Sequence, residues 1–373
     1  MKLKNNVVML SIMVCAASAA LTACGGGDHD NNNSGSNTPP TMGQFRATVL
    51  TSDGSVTAAN IDPNLQNAWG LAESKTSTIW NSDNGTKKSS LHDGNGVTQS
   101  LVVDIPPNVA GAAAGPTGMV NNPSTTDFVI TASGKSAPAV FMWATDAGTI
   151  AGWSPNVLPT TAVNMHDDSA NGAVYKGLTV SSNNGANFLY AADFHNKTVN
   201  VFDTTFTKVN LAGSFTDPNL PTGFSPFGIQ AIGTSIFVAY AELGPDGKTQ
   251  VKGAGLGLVD QFDTAGNFVK RLVSNGGVLN APWGMVMAPA NFGAASNQLL
   301  IGNFGDGALN MFSPTTGALE GPLLQTNGQP FVQSGLWGLL FGNDTNNQPS
   351  NTLFYSAGPT PTTGVFGRID VMP

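Results

Sequence analysis

A short apolar run centred on glycine recurs six times along the 373-residue chain. It reads NAWGLA around Gly70, GPTGMV around Gly118, VYKGLTV around Gly177, SPFGIQAI around Gly228, APWGMVMAP around Gly284 and GLWGLLFG around Gly338, at intervals of 48, 59, 51, 56 and 54 residues. A period of this length marks a unit that buries its apolar face only by stacking on copies of itself. A second run follows each of the first: STIWNSD, DFVITAS, FLYAADF, SIFVAYAE, QLLIGNF and TLFYSAG. In most copies a third run ends in an aromatic or apolar residue and a polar turn, as at Val201-Phe202-Asp203, Gln261-Phe262-Asp263 and Met311-Phe312-Ser313. Short runs rich in β-branched and aromatic residues, bounded by Gly, Asn and Asp, read as strands. Several antiparallel strands per unit, repeated six times, predict an all-β, six-bladed β-propeller.

The ends of the repeat array predict how the ring closes. The sixth unit stops at FGRIDVMP, where its fourth strand would begin, and QFRATVL at residues 44–50 precedes the first unit with no blade of its own. Pairing this strand beside Arg368 to Val371 completes blade six and covers an exposed sheet edge. The chain's 45 glycines and 23 prolines, with Asn-Gly and Asp-Gly pairs throughout, agree with short strands joined by tight turns.

Residues 1–23 read as an export signal, with Lys2 and Lys4 ahead of an apolar stretch from Val7 to Leu21 that is too short to span a membrane. Leu21-Thr22-Ala23-Cys24-Gly25 resembles the bacterial lipobox, which implies cleavage before Cys24 and a lipid on that cysteine; the alternative is an ordinary secretory signal cut near Ala20. Cys15 leaves with the signal, so Cys24 remains alone and no intramolecular disulfide forms. Residues 24–43, rich in Gly, Asn, Ser and Pro, read as a flexible tether, and the propeller as residues 44–373. Loss of Lys2 and Lys4 leaves 13 basic against 23 acidic residues, a balance that excludes nucleic acid and makes the lipid the membrane attachment. The expected location is the cell envelope beyond the inner membrane, at the outer membrane or cell surface, with the chain a monomer. Gly25 in place of Asp after the cysteine favours that location.

The motifs DPNLQNAWGLA, GTIAGWSP, GAVYKGL, NFLYAADFHN, FTDPNLP, LNAPWGM, APANFG, LIGNFGDG and GLWGLLFG span nearly the whole chain from about residue 47. On these the chain resembles an uncharacterised bacterial family of NHL-like six-bladed propellers, some of which carry a PEP-CTERM tail that is not found before Pro373 here. The resemblance implies a fold and no particular activity.

In a four-stranded blade, the connection into strand one and the one joining strands two and three lie on the same face of the disc. Asp83, Asn84, Asp146, Asp193, His195, Asn196, Asn303 and Asp306 would therefore surround one mouth of the channel. The residues preceding the repeat glycines, Trp69, Thr117, Lys176, Phe227, Trp283 and Trp337, would lie beside them. Four aromatics and a lysine suit a concave site that stacks on a sugar or other flat ligand, with Asn and Asp supplying hydrogen bonds. The same tryptophans could instead act as wedges between blades.

A second reading is a lactonase- or esterase-like hydrolase with Ca²⁺ at the mouth, polarising a carbonyl and held by Asp83, Asp193 and Asn303. Ala239-Tyr240-Ala241 and Ser356-Ala357-Gly358 offer no ligand at the corresponding loops, so that set is incomplete and no catalytic residue is assigned. A third reading is a scaffold for a protein or polysaccharide partner. His92 and His166 read as solvated turn residues, and no zinc spacing or Gly-x-Ser-x-Gly elbow is present. Gly253-Ala254-Gly255-Leu256-Gly257 precedes a strand-turn-strand pattern, where a dinucleotide loop needs a helix.

Overall fold

The computed structural model describes residues 45–372, and these form six mainly antiparallel sheets set around a central channel as a β-propeller. The export signal, Cys24 and the tether lie outside the described residues. The innermost strands are Ala68–Ala72, Pro116–Asn121, Tyr175–Asn183, Phe224–Ile232, Pro282–Met287 and Leu336–Phe341, each beside the next and the sixth beside the first. Every one carries a repeat glycine, and every one has a register shift against its second strand at or just beside that glycine.

The glycines are there because the inner strands nearly touch. A Cβ on Gly70 would lie 2.6 Å from the Thr117 carbonyl oxygen, one on Gly228 2.1 Å from that of Trp283, one on Gly284 2.3 Å from that of Trp337, and one on Gly338 2.6 Å from that of Trp69. The obstacle is always the backbone of the next blade, which cannot swing aside as a side chain would. Six such contacts narrow the channel to a cavity of about 40 Å³.

The ring closes as the repeat count predicts. Phe45–Ser52 pairs antiparallel with Thr363–Val371, from Phe45 opposite Val371 to Ser52 opposite Val365, and becomes the fourth strand of blade six. Its first residue also reaches back to blade five: Phe45 N–H donates to Leu324 O at 3.0 Å, and its ring packs on Phe292 with centroids 4.9 Å apart. The first described strand is thus tied to two blades.

Blade two departs from the reading of the sequence. DFVITAS is not its second strand; Val129–Ala132 pairs with Lys135–Pro138 as a separate hairpin turned by Ser133 and Gly134, both at positive φ. The second strand is Phe141–Thr145, fully buried and paired with the inner strand. Strand partnership decides between the two runs, because Phe141, Met142 and Trp143 lie beside the inner strand and fill the seams on both sides, whereas Val129–Ala132, although Phe128 and Ile130 are buried, pairs only with Lys135–Pro138. The inserted hairpin also accounts for the longest interval, between Gly118 and Gly177.

Aromatic wedges do fill a seam, but they are other tryptophans than those before the repeat glycines. Trp80 stacks on Phe141 at 4.3 Å and leans on Trp153 at 5.0 Å between blades one and two. His92 is likewise not a turn residue. It ends the third strand of blade one, fully buried, with its ring on Phe366 of blade six, Nδ1 2.9 Å from Asn81 Nδ2 and Nε2 3.2 Å from Asp62 Oδ2. Burial works against the Asp62 carboxylate, but hydrogen bonds from His92 and Asn64 outweigh it and hold its pKa below the usual value. His166 lies on the outer strand of blade two, half-buried, its ring edge-on to Phe202 at 4.7 Å.

Candidate functional site

The residues preceding the repeat glycines converge where the inner strands begin. Trp69, Phe227, Trp283 and Trp337 form one buried cluster, joined by Phe194 and Phe304. Trp337, only 1% exposed, has both faces covered, by Trp69 at 3.5 Å and by Phe304 at 3.9 Å, while Trp283 meets Trp69 and Trp337 edge-on. Phe194 and Phe227 extend the cluster, with centroids 5.1 Å apart. The expected floor for a stacked sugar is therefore a plug, because the rings stack on one another across the axis and leave no free face at Trp337. Thr117 completes the circle differently, its hydroxyl lying 3.1 Å from Ala144 O and 2.9 Å from Tyr175 O.

Phe194 and Phe304 were not singled out from the sequence. Each directly follows the last residue of a second strand, after Asp193 and Asn303, in the place that Asn84 holds in blade one. That equivalence was the available signal.

Lys176 is the one cation in the circle. It is 6% exposed, with Nζ 5.0 Å from the centre of the Trp69 ring and 5.9 Å from that of Phe194. No salt bridge among the described residues engages it. Burial pulls its pKa down to about 8, against the opposing pull of Asp146 and Asp246. The indole N–H groups of Trp69, Trp283 and Trp337 are buried and find no acceptor among the described residues. The plug thus contains three buried indole N–H donors without acceptors among the described residues, and the desolvated Lys176 ammonium lies over the face of one of its rings, Trp69.

A long connection of blade four, between Ser235–Glu242 and Gly257–Asp263, lies against this mouth. Leu243 packs on the aromatic cluster, Gly247 O is 2.8 Å from His195 Nδ1, and Lys252 Nζ sits 4.1 Å from the centre of the Phe304 ring. Beside it, between blades two and three, a cavity of about 310 Å³ is lined by Asn108, Asp146, Ser169, His195 and Lys248.

The remaining polar candidates hold turns together. Asp193 Oδ1 accepts from Val174 N–H and Asn196 N–H, and its Oδ2 accepts from the side chains of Asn196 and Asn200. Asn303 accepts from Asn280 N–H and donates to Val278 O, and Asp306 accepts from Ala308 N–H and the Asn280 side chain. Asn84 bridges Asn67 and Asp146, and Asp146 accepts Gly115 N–H. Asp83 is fully buried and accepts Ser90 N–H; burial, reinforced by the nearby charge of Asp62, pushes its pKa well above the usual carboxylate value.

Asp83, Asp193 and Asn303 thus direct their hydrogen bonds into their own blades, and the three do not fit as the shell of one Ca²⁺. Among the described residues, no group of three or more His, Cys, Asp or Glu side chains is placed to hold a metal.

No protein-family model matches the chain. Two uncharacterized proteins of Acanthamoeba polyphaga mimivirus are similar to it. One is 32% identical over 317 residues, covering 83% of this chain and 75% of the relative; the other is 31% identical over 304 residues, covering 79% and 78%. Among solved structures, a glucose dehydrogenase aligns with a TM-score of 0.51 at 12% identity, over 88% of this chain and 100% of that one. A catalytically inactive virginiamycin B lyase from Staphylococcus aureus, bound to quinupristin, aligns with a TM-score of 0.49 at 12% identity, over 84% and 83%. Identities this low speak to the fold alone. Both sequence relatives are viral, so the restriction to bacteria implied by the family resemblance has no support from them.

Proposed function

The chain belongs to a family that includes the two mimivirus proteins, and on that premise we propose that it is a ligand-binding propeller whose plugged mouth takes a small molecule bearing a carboxylate. The observation that carries this reading is the buried Lys176 ammonium, without an ion-pair partner among the described residues and lying over Trp69, in a plug whose indole N–H groups at Trp69, Trp283 and Trp337 find no acceptor among those residues. Buried donors without acceptors cost free energy that an anionic ligand recovers. The cavity beside this mouth, lined by Asp146, His195 and Lys248, is of a size to hold a uronic acid.

Because only the charged amine attracts an anion, affinity falls as pH rises through about 8. The test is calorimetry with a panel of uronic acids and the matching neutral sugars, on the wild type and Lys176→Met. Acids that bind to the wild type and are lost in the variant support the reading; equal binding of acid and neutral sugar, or binding that survives the substitution, sinks it. The calcium-dependent hydrolase is the weaker alternative, since its would-be ligands Asp83, Asp193 and Asn303 already serve their own blades. The proposal keeps the envelope address, with export by residues 1–23 and a lipid on Cys24.

A further inference from the structure

At the opposite end of the channel from the aromatic plug, the residue after each repeat glycine is large and aliphatic: Leu71, Met119, Leu178, Ile229, Met285 and Leu339. Beyond this ring the channel widens into a bowl of about 330 Å³, whose walls continue with residues such as Val120, Val180, Val286 and Leu340. Three polar side chains reach the bowl, from Asn121, Thr179 and Gln230, and among the described residues Glu73 is the only charged one that lines it.

Glu73 Oε2 accepts a hydrogen bond from Gln348 Nε2 at 2.7 Å, and Gln348 is itself buried and lies within hydrogen-bonding distance of Ser77 O and Asn343 Oδ1. This donor is neutral, and no Lys, Arg or His among the described residues forms an ion pair with Glu73. The charged groups around it are Asp344, which works against ionisation, and the exposed Lys75 in the next turn. Burial, opposed by the Gln348 hydrogen bond and helped by Asp344, pushes the Glu73 carboxyl up to about 8.

We infer that this bowl binds an amphipathic amine, with the apolar body of the ligand against the aliphatic ring and its ammonium on the Glu73 carboxylate. A neutral apolar ligand would gain nothing from the carboxyl, and an anionic one would meet the Asp344 charge and, once Glu73 ionises, that of Glu73 as well. An alkylammonium supplies the countercharge that the protein does not. The step balances as a proton exchange: the carboxylic acid gives its proton to buffer as the carboxylate forms its ion pair, and the ligand keeps all of its own.

The site lies at the other end of the channel from the Lys176 mouth and stands independently of it. The experiment is calorimetry with n-octylamine near pH 7, repeated in buffers of different ionisation enthalpy, with n-octanol as the neutral control. The expected result is release of about 0.9 proton per amine bound, from a carboxyl of pKa about 8. The amine should bind about tenfold more tightly than the alcohol, and its affinity should rise as pH approaches 8. Glu73→Gln, which keeps an acceptor for Gln348, should abolish proton release and remove the preference for amine while octanol still binds. The inference is overturned if octylamine binds no better than octanol, if it binds without proton release, or if a folded Glu73→Gln variant binds it equally well.

Discussion

Trp337 shows how one side chain moves from candidate ligand contact to structural member. An indole with a free face at a channel mouth is a stacking surface, but here Trp69 and Phe304 cover both faces. Trp337→Ala would remove the middle of a three-ring stack at a site with no room to collapse, and it should cost about 3–5 kcal/mol. Trp283, at 8% exposure and in edge contacts only, should cost less when changed to Ala. Urea denaturation of both variants checks this, and a Trp337→Ala protein as stable as the wild type would mean that the rings do not carry the mouth. That a tryptophan stands before the glycine in three of the six units was legible in the sequence; whether it faces solvent or another ring was not, because the contact spans units more than two hundred residues apart.

At the scale of elements, the repeat glycine and the backbone of the next inner strand act together. Gly284→Ala places a Cβ 2.3 Å from the Trp337 carbonyl oxygen, and relief requires the inner strands to part. The expected loss is about 1–3 kcal/mol or more, as for other overpacked sites. Gly277→Ala is the matched control, since nothing lies within 4 Å of its Cβ and its stability should stay within about 0.5 kcal/mol of the wild type. Thermal melts of the pair decide the point: equal midpoints would contradict a ring set by close backbone approach. Blade two marks the limit of reading elements from pattern. DFVITAS and VFMWATD are both strand-like runs, and only the partner surfaces of Phe141 and Trp143 select the second as part of the blade.

For the whole molecule, the decisive contact is between the ends of the described chain. Phe45–Ser52 is buried against Thr363–Val371 and joins blade five through Phe45 and Phe292. A chain without residues 44–50 exposes the edge of blade six and the apolar surface under Phe45 and Leu50, which should lower the melting temperature by about 10–20 °C. An unchanged melting curve would count against closure by this strand.

Periodicity in the sequence by itself determined the number of units, the strand class, the glycine at each centre and the strand that closes the ring. These follow from local patterns repeated at a fixed interval, so each copy confirms the others. Only the tertiary structure decided which polar groups are committed and which are left over. Asp193 and Asn303 looked like ligands until the turns of their own blades answered them, whereas Lys176 and Glu73 are set apart by what fails to meet them. Such an absence is a property of three-dimensional surroundings: burial raises the cost of a charge, and whether a partner offsets it depends on residues far away in the chain.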